Sequence, residues 1–235
     1  MIEILMATYN GEKYLRPQIN SILRQSFTDW RLIIRDDCST DGTVAIIQEY
    51  QEQYPDKIVF LQADVPSGSA QNNFFQLIKY WQHHGIADYI MFSDQDDVWL
   101  PSKVQSSLDK IQQMELQYGK EIPLLLHTDL TVVGIDLKII NPSLFAMQNM
   151  DAMRNKLNNI LVQNIVTGCT MMVNKSLLDM VRKIPQHAVM HDMWLALIAS
   201  TFGQIGFIDE STVLYRQHAS NTVGAMNVKT LKFFY

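Results

Sequence analysis

The sequence predicts an α/β domain with a Rossmann-like first half and a mixed second half. Four short runs of apolar, β-forming residues begin at residues 2, 30, 58 and 89. Between these runs, apolar side chains recur every three to four positions, which is the period of an amphipathic helix. Three consecutive strand–helix units therefore imply right-handed crossovers and a parallel, doubly wound sheet.

Each predicted strand of the first half is almost continuously apolar, as expected for strands that are covered on both faces. These strands are Ile2–Met6, Trp30–Ile34, Ile58–Leu61 and Tyr89–Phe92. The helices between them have apolar faces formed by Leu15, Ile19, Ile22 and Leu23, by Val44, Ile47, Tyr50 and Tyr54, and by Phe74, Ile78 and Trp81.

The second half begins with a helix predicted to start near Pro101, because Val104, Leu108, Ile111 and Met114 share one face. The strands predicted after it are Leu124–Leu126, Thr131–Ile135 and Val166–Val173, with Gly168 inside the last one. We expect Ile139–Asn149 to be irregular. Helices are predicted at Leu177–Val181 and Met193–Ala199, and a final hairpin at Ile205–Ile208 and Val213–Tyr215.

The pattern predicts one domain over residues 1–220, with halves at 1–100 and 101–220, and a C-terminal tail over residues 221–235. The end of the tail, Lys229–Tyr235, mixes basic with bulky apolar residues. It is either the start of a truncated helix, which we favour, or an interfacial segment that contacts a membrane holding a lipid-linked acceptor.

Composition limits the classes of function. The chain has 235 residues, with 19 basic and 24 acidic side chains, so its net charge is −5. This charge, without basic clusters, argues against a nucleic-acid surface. Two cysteines suit a reducing compartment. Without a basic N-terminal region or an apolar run of ~18 residues, we expect a cytoplasmic protein that at most touches the inner face of the cell membrane.

Polar and acidic segments follow the predicted strands, at the sheet edge where ligands bind in such folds. They are Thr8–Gly11, Asp36–Gly42, Asp64–Gly68 and Ser93–Asp97. No glycine-rich dinucleotide motif or P-loop motif occurs. An acidic edge could hold a phosphorylated ligand only through a divalent cation.

The segment Asp94–Asp97 is the strongest candidate for binding that cation. Alternate residues of an extended segment point the same way, so Asp94 and Asp96 could both face one ion. Their oxygen atoms suit Mg²⁺ or Mn²⁺. Asp97 could instead cap the helix after Pro101.

Asp36 and Asp37 close the second predicted strand. Ser39, Thr40 or Asp41 could cap the following helix. Asp37 is then free to accept hydrogen bonds from a nucleobase or a ribose, whereas Asp36 is expected to be structural.

The order and spacing of these segments resemble family 2 glycosyltransferases of the GT-A fold, across essentially the whole chain. The matching motifs are Ile4–Gly11, Gln25–Trp30, Asp36–Thr43, Ser93–Trp99, His127–Leu130, Gly168–Thr170, His191–Trp194 and Tyr215–His218. The combination of Ser93–Trp99 with Tyr215–His218 is similar to the bacterial branch that includes rhamnosyltransferases of cell-wall and capsule polysaccharide synthesis.

The resemblance implies roles for individual residues. It places Thr8, Tyr9 and Asp37 around the nucleoside of a donor such as a dTDP- or UDP-sugar. It makes Asp94 and Asp96 the metal-binding pair beside the diphosphate. His218 matches a late histidine that ligates the metal or meets the diphosphate in some GT-A enzymes, and Arg216 could assist there. Asp192 takes the position of the general base, although His191 precedes it where a glutamate is commoner.

Together these features predict an inverting, metal-dependent transfer of a sugar to a saccharide or lipid-linked saccharide. Simpler explanations stay open: Asp192 could be a helix N-cap, His218 a solvated histidine, and His191 a surface residue or the next candidate base. The alternative functions are a sugar-1-phosphate nucleotidyltransferase, which would want a basic, glycine-rich loop after the first strand, and a catalytically silent nucleotide-binding partner.

Overall fold

The computed structural model describes residues 1–181, 190–219 and 221, and its elements form one nine-stranded sheet with helices on both faces. The strands are β1 (Ile2–Thr8), β2 (Trp30–Asp36), β3 (Ile58–Gln62), β4 (Tyr89–Ser93), β5 (Val98–Trp99), β6 (Leu124–Val133), β7 (Ile139–Asn141), β8 (Met172–Asn174) and β9 (Gln204–Arg216). The helices are α1 (Glu12–Leu23), α2 (Thr43–Gln53), α3 (Ala70–His84), α4 (Lys103–Tyr118), α5 (Leu144–Gln148), α6 (Leu157–Ile160), α7 (Lys175–Asp179) and α8 (His191–Phe202).

The sheet order is β3-β2-β1-β4-β8-β6-β9-β5. Strand β7 lies outside this order and pairs with β6. Strands β3, β2, β1 and β4 are parallel to one another, whereas β8 is antiparallel to both β4 and β6. The predicted parallel first half and mixed second half are thus confirmed.

Successive side chains of β1 point to opposite faces of the sheet and contribute to the two hydrophobic clusters of the core. Ile2, Ile4 and Met6 face the layer that contains α1, α2 and α4, whereas Leu5 and Ala7 face the layer that contains α3, α7 and α8. All seven residues of β1 are buried, as expected for a central parallel strand.

Two predicted pairs of strands each form one continuous strand, β6 and β9. The predictions of separate strands and of a final hairpin were therefore wrong. In β6 the polar centre does not break the strand, because Thr128 and Asp129 are satisfied internally. The hydroxyl groups of Thr128 and Thr212 lie 2.7 Å apart, and Asp129 accepts hydrogen bonds from Leu144 and Phe145 N–H groups. In β9 the polar residues 209 and 210 fall at a register shift opposite β6.

Three other predictions for the second half need correction. Gly168–Thr170 forms a short 3₁₀ turn, and only Met172–Asn174 is a strand in the region predicted as Val166–Val173. The segment predicted to be irregular contains β7 and α5. Helix α4 begins at Lys103, two residues after Pro101. Apart from Asn221, the predicted tail lies outside the described residues.

Candidate active site

The carboxyl ends of β1, β2 and β4 meet at one edge of the sheet, since Thr8 pairs in register with Asp36 and Met6 with Ser93. A cavity of about 610 Å³ opens there. Six residues predicted for the site line it: Thr8, Tyr9, Asp37, Asp94, Asp96 and Asp192. The fold therefore brings together side chains as distant in the sequence as Thr8 and Asp192.

Asp37 lines the cavity, but its carboxylate is not free as predicted. It accepts hydrogen bonds from Arg35 Nη1 at 2.9 Å, from Ser67 N at 2.7 Å and from Gly68 N at 3.3 Å. Burial alone would raise the pKa of Asp37, but the hydrogen bonds from Ser67 and Arg35 outweigh it and lower that pKa. Asp37 therefore stays ionised and fixes the loop at 67–68 against β2.

Asp36 is structural, as predicted. It is fully buried and accepts hydrogen bonds from the Thr8 hydroxyl at 3.0 Å and from the Ser39 N–H at 2.8 Å. Thr8 is itself 1% exposed. Tyr9, in contrast, is 55% exposed at the mouth of the cavity.

Gln95 is a site residue that the sequence reasoning missed. Its side-chain oxygen accepts from Tyr9 N at 2.9 Å, and its side-chain nitrogen donates to Tyr9 O at 2.9 Å. These two bonds join the loop after β1 to the loop after β4. Gly11 leaves room for this contact, because a Cβ there would overlap the Gln95 amide.

The segment from Asp94 to Asp97 bends instead of continuing as an extended strand, yet Asp94 and Asp96 both line the cavity. The Oδ2 atom of Asp96 lies 2.8 Å from Nε2 of His218. Asp97 is fully buried and accepts from Arg216 N at 3.1 Å. It lies before β5 and does not cap α4, so the capping interpretation was wrong.

One oxygen of Asp94, one of Asp97 and the sulfur of Cys169 lie within 4.8 Å of one another. Burial, together with the charges of Asp96 and Asp192, raises the pKa of Asp94 to about 7. Burial and the charges of Asp96 and Asp94 also raise the pKa of Asp97. These carboxyl groups are thus crowded and dehydrated, and a divalent cation would relieve their repulsion.

The donor set fits a hard cation that prefers oxygen ligands. Carboxylate oxygens from Asp94 and Asp96 face the cavity, and Oδ2 of Asp97 is buried without a hydrogen-bond partner among the described residues. A buried oxygen without a donor is costly unless a cation or a proton compensates it. The residues present are therefore compatible with Mg²⁺ or Mn²⁺.

Arg216 lies behind the acidic segment and is 4% exposed. Its side chain donates to the backbone carbonyls of Asp96 and Ile135, each at 2.7 Å. The guanidinium also lies 4.7 Å from the ring of Tyr14. These contacts hold the backbone of Asp96, and a direct contact of Arg216 with a donor stays a prediction.

Asp192 is the second residue of α8, whose N-cap is Met190, so it is not the N-cap considered from the sequence. Its carboxylate accepts from Met193 N at 2.5 Å and from Gly168 N at 3.1 Å. Burial raises the pKa of Asp192 to about 6, against the opposing effect of these two hydrogen bonds. A carboxylate with a pKa near neutrality, at a cavity wall, is suited to general-base chemistry.

Among the described residues, no helix is both long enough and apolar enough to cross a membrane.

The model of glycosyl transferase family 2 matches residues 3–118. The chain is 32% identical to the dTDP-rhamnosyl transferase RfbG of Shigella flexneri over 230 residues, which cover 94% of this chain and 74% of RfbG. It is 24% identical to the UDP-Glc:alpha-D-GlcNAc-diphosphoundecaprenol beta-1,3-glucosyltransferase WfgD of Escherichia coli, over 84% of this chain and 70% of WfgD.

Solved structures show the same fold. Staphylococcus aureus TarS in complex with UDP superposes with a TM-score of 0.67 at 20% identity, over 92% of this chain. The mannosyltransferase PcManGT from Pyrobaculum calidifontis, in complex with GDP-Man and Mn²⁺, superposes with a TM-score of 0.64 at 14% identity, over 95% of this chain. The chain spans 60% of that TarS chain and 58% of PcManGT.

The predicted GT-A fold is thereby confirmed. The match to RfbG over most of both proteins, together with the family model over the first half, shows that this chain is a glycosyltransferase and belongs to glycosyl transferase family 2.

Proposed function

We propose that the chain catalyses an inverting, metal-dependent sugar transfer from a nucleotide-diphosphate donor to a saccharide acceptor in cell-surface polysaccharide synthesis. The observation that carries this proposal is that Asp192, Asp94 and Asp96 line the same cavity. A candidate base and a candidate cation site on one cavity are what such a transfer requires.

The nucleoside would occupy the side of the cavity formed by Thr8, Tyr9 and Asp37. Because Asp37 is already engaged by Arg35, Ser67 and Gly68, its main contribution is to hold the 67–68 loop that forms this wall. The Tyr9 ring, exposed at the mouth, offers a surface on which a base could stack.

Asp94 and Asp96 would hold Mg²⁺ or Mn²⁺ beside the donor diphosphate, with Asp97 and His218 adjoining them. The cation would neutralise the negative charge that develops on the departing diphosphate. Arg216 would keep Asp96 in place through its bond to the Asp96 carbonyl.

Asp192 would accept the proton of an acceptor hydroxyl group while that oxygen attacks the anomeric carbon from the face opposite the diphosphate. The new glycosidic bond forms as the bond from the anomeric carbon to the diphosphate oxygen breaks, so the configuration inverts. The transition state resembles an oxocarbenium ion, as in glycoside hydrolysis. The raised pKa of Asp192 makes it a stronger base than an ordinary aspartate.

The finer proposal is that the donor is dTDP-β-L-rhamnose and that the acceptor is a saccharide carried on a lipid at the inner face of the membrane. It is supported by the identity of 32% to the dTDP-rhamnosyl transferase RfbG and by the match to WfgD, whose named acceptor is a diphosphoundecaprenol-linked sugar. The residues that line the cavity include Val166 and also Met190 and Met193, which flank Asp192 in the sequence. Such apolar side chains suit the methyl group of a 6-deoxy sugar.

A donor screen tests this proposal. The purified chain is incubated with dTDP-rhamnose, UDP-glucose, UDP-GlcNAc or GDP-mannose, with Mn²⁺ or with a chelator, and release of the nucleotide diphosphate is measured. We expect release from dTDP-rhamnose that depends on the metal. Release from another donor alone would overturn the rhamnosyl assignment, and equal release in the chelator would overturn the metal dependence.

A further inference from the structure

His191 and Gly168 are in close contact beside Asp192, the candidate base. The imidazole of His191 stacks on Phe74 at 3.9 Å between ring centroids, with 26° between the planes, and lies 5.2 Å from the ring of Phe92. The residue is 2% exposed. Both of its ring nitrogens are buried and have no hydrogen-bond partner among the described residues.

Gly168 lies against this ring with no room for a side chain. A Cβ at position 168 would lie 2.7 Å from Nε2 and 2.9 Å from Cε1 of His191, closer than atoms pack in real proteins. The φ angle of Gly168 is not positive, so its backbone conformation is open to alanine and only the close approach demands glycine. In this position the Gly168 N–H donates a hydrogen bond to Asp192 Oδ2 at 3.1 Å.

We propose that His191 and Gly168 are positioning residues for Asp192. The flat ring, held by Phe74, supports the Gly168 backbone at the distance where its N–H binds one carboxylate oxygen, while Met193 N–H binds the other. The two bonds fix the carboxylate plane relative to the cavity. This inference rests on the proposed role of Asp192 as the base.

The contact also accounts for a histidine at the position before the base. Burial lowers the pKa of His191 to about 3, so the ring is neutral and acts as an aromatic spacer. Its buried nitrogens are not available to take a proton from an acceptor, which argues against His191 as a substitute base.

The test uses Gly168→Ala, His191→Ala, His191→Phe and the double variant Gly168→Ala/His191→Ala. Metal-dependent donor binding and steady-state transfer are measured for each variant. We expect Gly168→Ala and His191→Ala to lower kcat by about 10²-fold, the scale of a displaced catalytic group, with donor affinity unchanged. His191→Phe keeps the ring without a nitrogen and should recover most of the rate lost in His191→Ala. The double variant should be no slower than His191→Ala, because the overlap with the new methyl group is gone.

His127→Ala is the matched control. His127 is also fully buried with both ring nitrogens unpartnered among the described residues, and it packs between Phe145 and Phe207 away from the cavity lining. We expect a similar fall in melting temperature for His127→Ala and His191→Ala, but wild-type kcat only for His127→Ala.

Asp192→Asn, measured alongside, separates the positioning role of His191 and Gly168 from the role of Asp192 as the base. If Asp192→Asn is slow while Gly168→Ala and His191→Ala turn over at the wild-type rate, the positioning inference is overturned and the base assignment stands. If Asp192→Asn itself transfers at the wild-type rate, both are overturned. A slow His191→Phe, as slow as His191→Ala, would also contradict the spacer role and return a function to the ring nitrogens.

Discussion

Asp96 and His218 are joined by a contact of 2.8 Å between Oδ2 and Nε2, although they lie 122 positions apart in the chain. The His218 ring stacks on Tyr14 of α1, with 4.9 Å between ring centroids. The end of β9 is thereby tied to the acidic segment after β4 and to the first helix. The proposed cation site at Asp96 therefore depends on three distant parts of the sequence.

Asp96→Ala should abolish metal-dependent binding of the nucleotide diphosphate and leave the fold intact. The variant removes a cavity-facing carboxylate that also contacts His218, whereas the buried Asp97 and its bond to Arg216 N remain. Isothermal titration with dTDP or UDP, with and without Mn²⁺, measures the effect.

Asp179→Ala is the control for that titration. Asp179 is a surface carboxylate that pairs with Lys175 and lines a different cavity. We expect wild-type binding for this variant. Normal affinity and normal metal dependence in Asp96→Ala would move the cation elsewhere.

Gln95→Ala should weaken donor binding more than it slows the chemical step. It removes two hydrogen bonds to Tyr9, each contributing about 1 kcal/mol, and frees the loop after β1 that forms one cavity wall. Donor KM and kcat, measured separately, check this expectation.

Gly11→Ala provides a second way to disturb the same contact, since its methyl group would overlap the Gln95 amide. Combining it with Gln95→Ala removes the overlap. The double variant should therefore bind donor no worse than Gln95→Ala. A further additive loss would show that Gly11 matters for another reason.

The first half of the fold could be predicted because each apolar run lies within a single strand of β1 to β4, and the helix that packs beside it follows in the sequence. The second half could not. The polar residues inside β6 find their partners in α5 and at Thr212, and no local pattern shows that they are satisfied. The break expected in β9 is absorbed by a register shift against β6.

The candidate site, too, could be predicted only in part. The acidic loops could be identified because each follows a strand, but what each carboxylate binds depends on distant residues. Asp37 was expected to be free, yet loop 67–68 occupies it. Asp97 was considered as a helix cap, yet it accepts a hydrogen bond from Arg216 N. Gln95 lies in the matching motif Ser93–Trp99, but no local pattern shows that its amide binds the backbone of Tyr9, 86 positions away.

The pH dependence of transfer should show a single ascending limb set by Asp192. Its pKa is raised by burial to about 6, and only the ionised form can accept a proton. The rate should therefore fall about tenfold for each pH unit below that value and level off above it. Asp94 is the charged neighbour whose own pKa is also raised, partly by Asp192, so kcat is measured at saturating donor and Mn²⁺. A flat profile through this range would contradict a carboxylate base.

The central claim, that Asp192 is the general base, is tested most directly by Asp192→Asn. The amide keeps an oxygen that can accept from Gly168 or Met193 N–H, so the melting temperature should stay near that of the wild type. It removes the basic group, so transfer at saturating donor and acceptor should fall by roughly 10²–10⁴-fold, with donor binding unchanged. Transfer at the wild-type rate, with chemistry shown to limit turnover, would contradict the account and require another base.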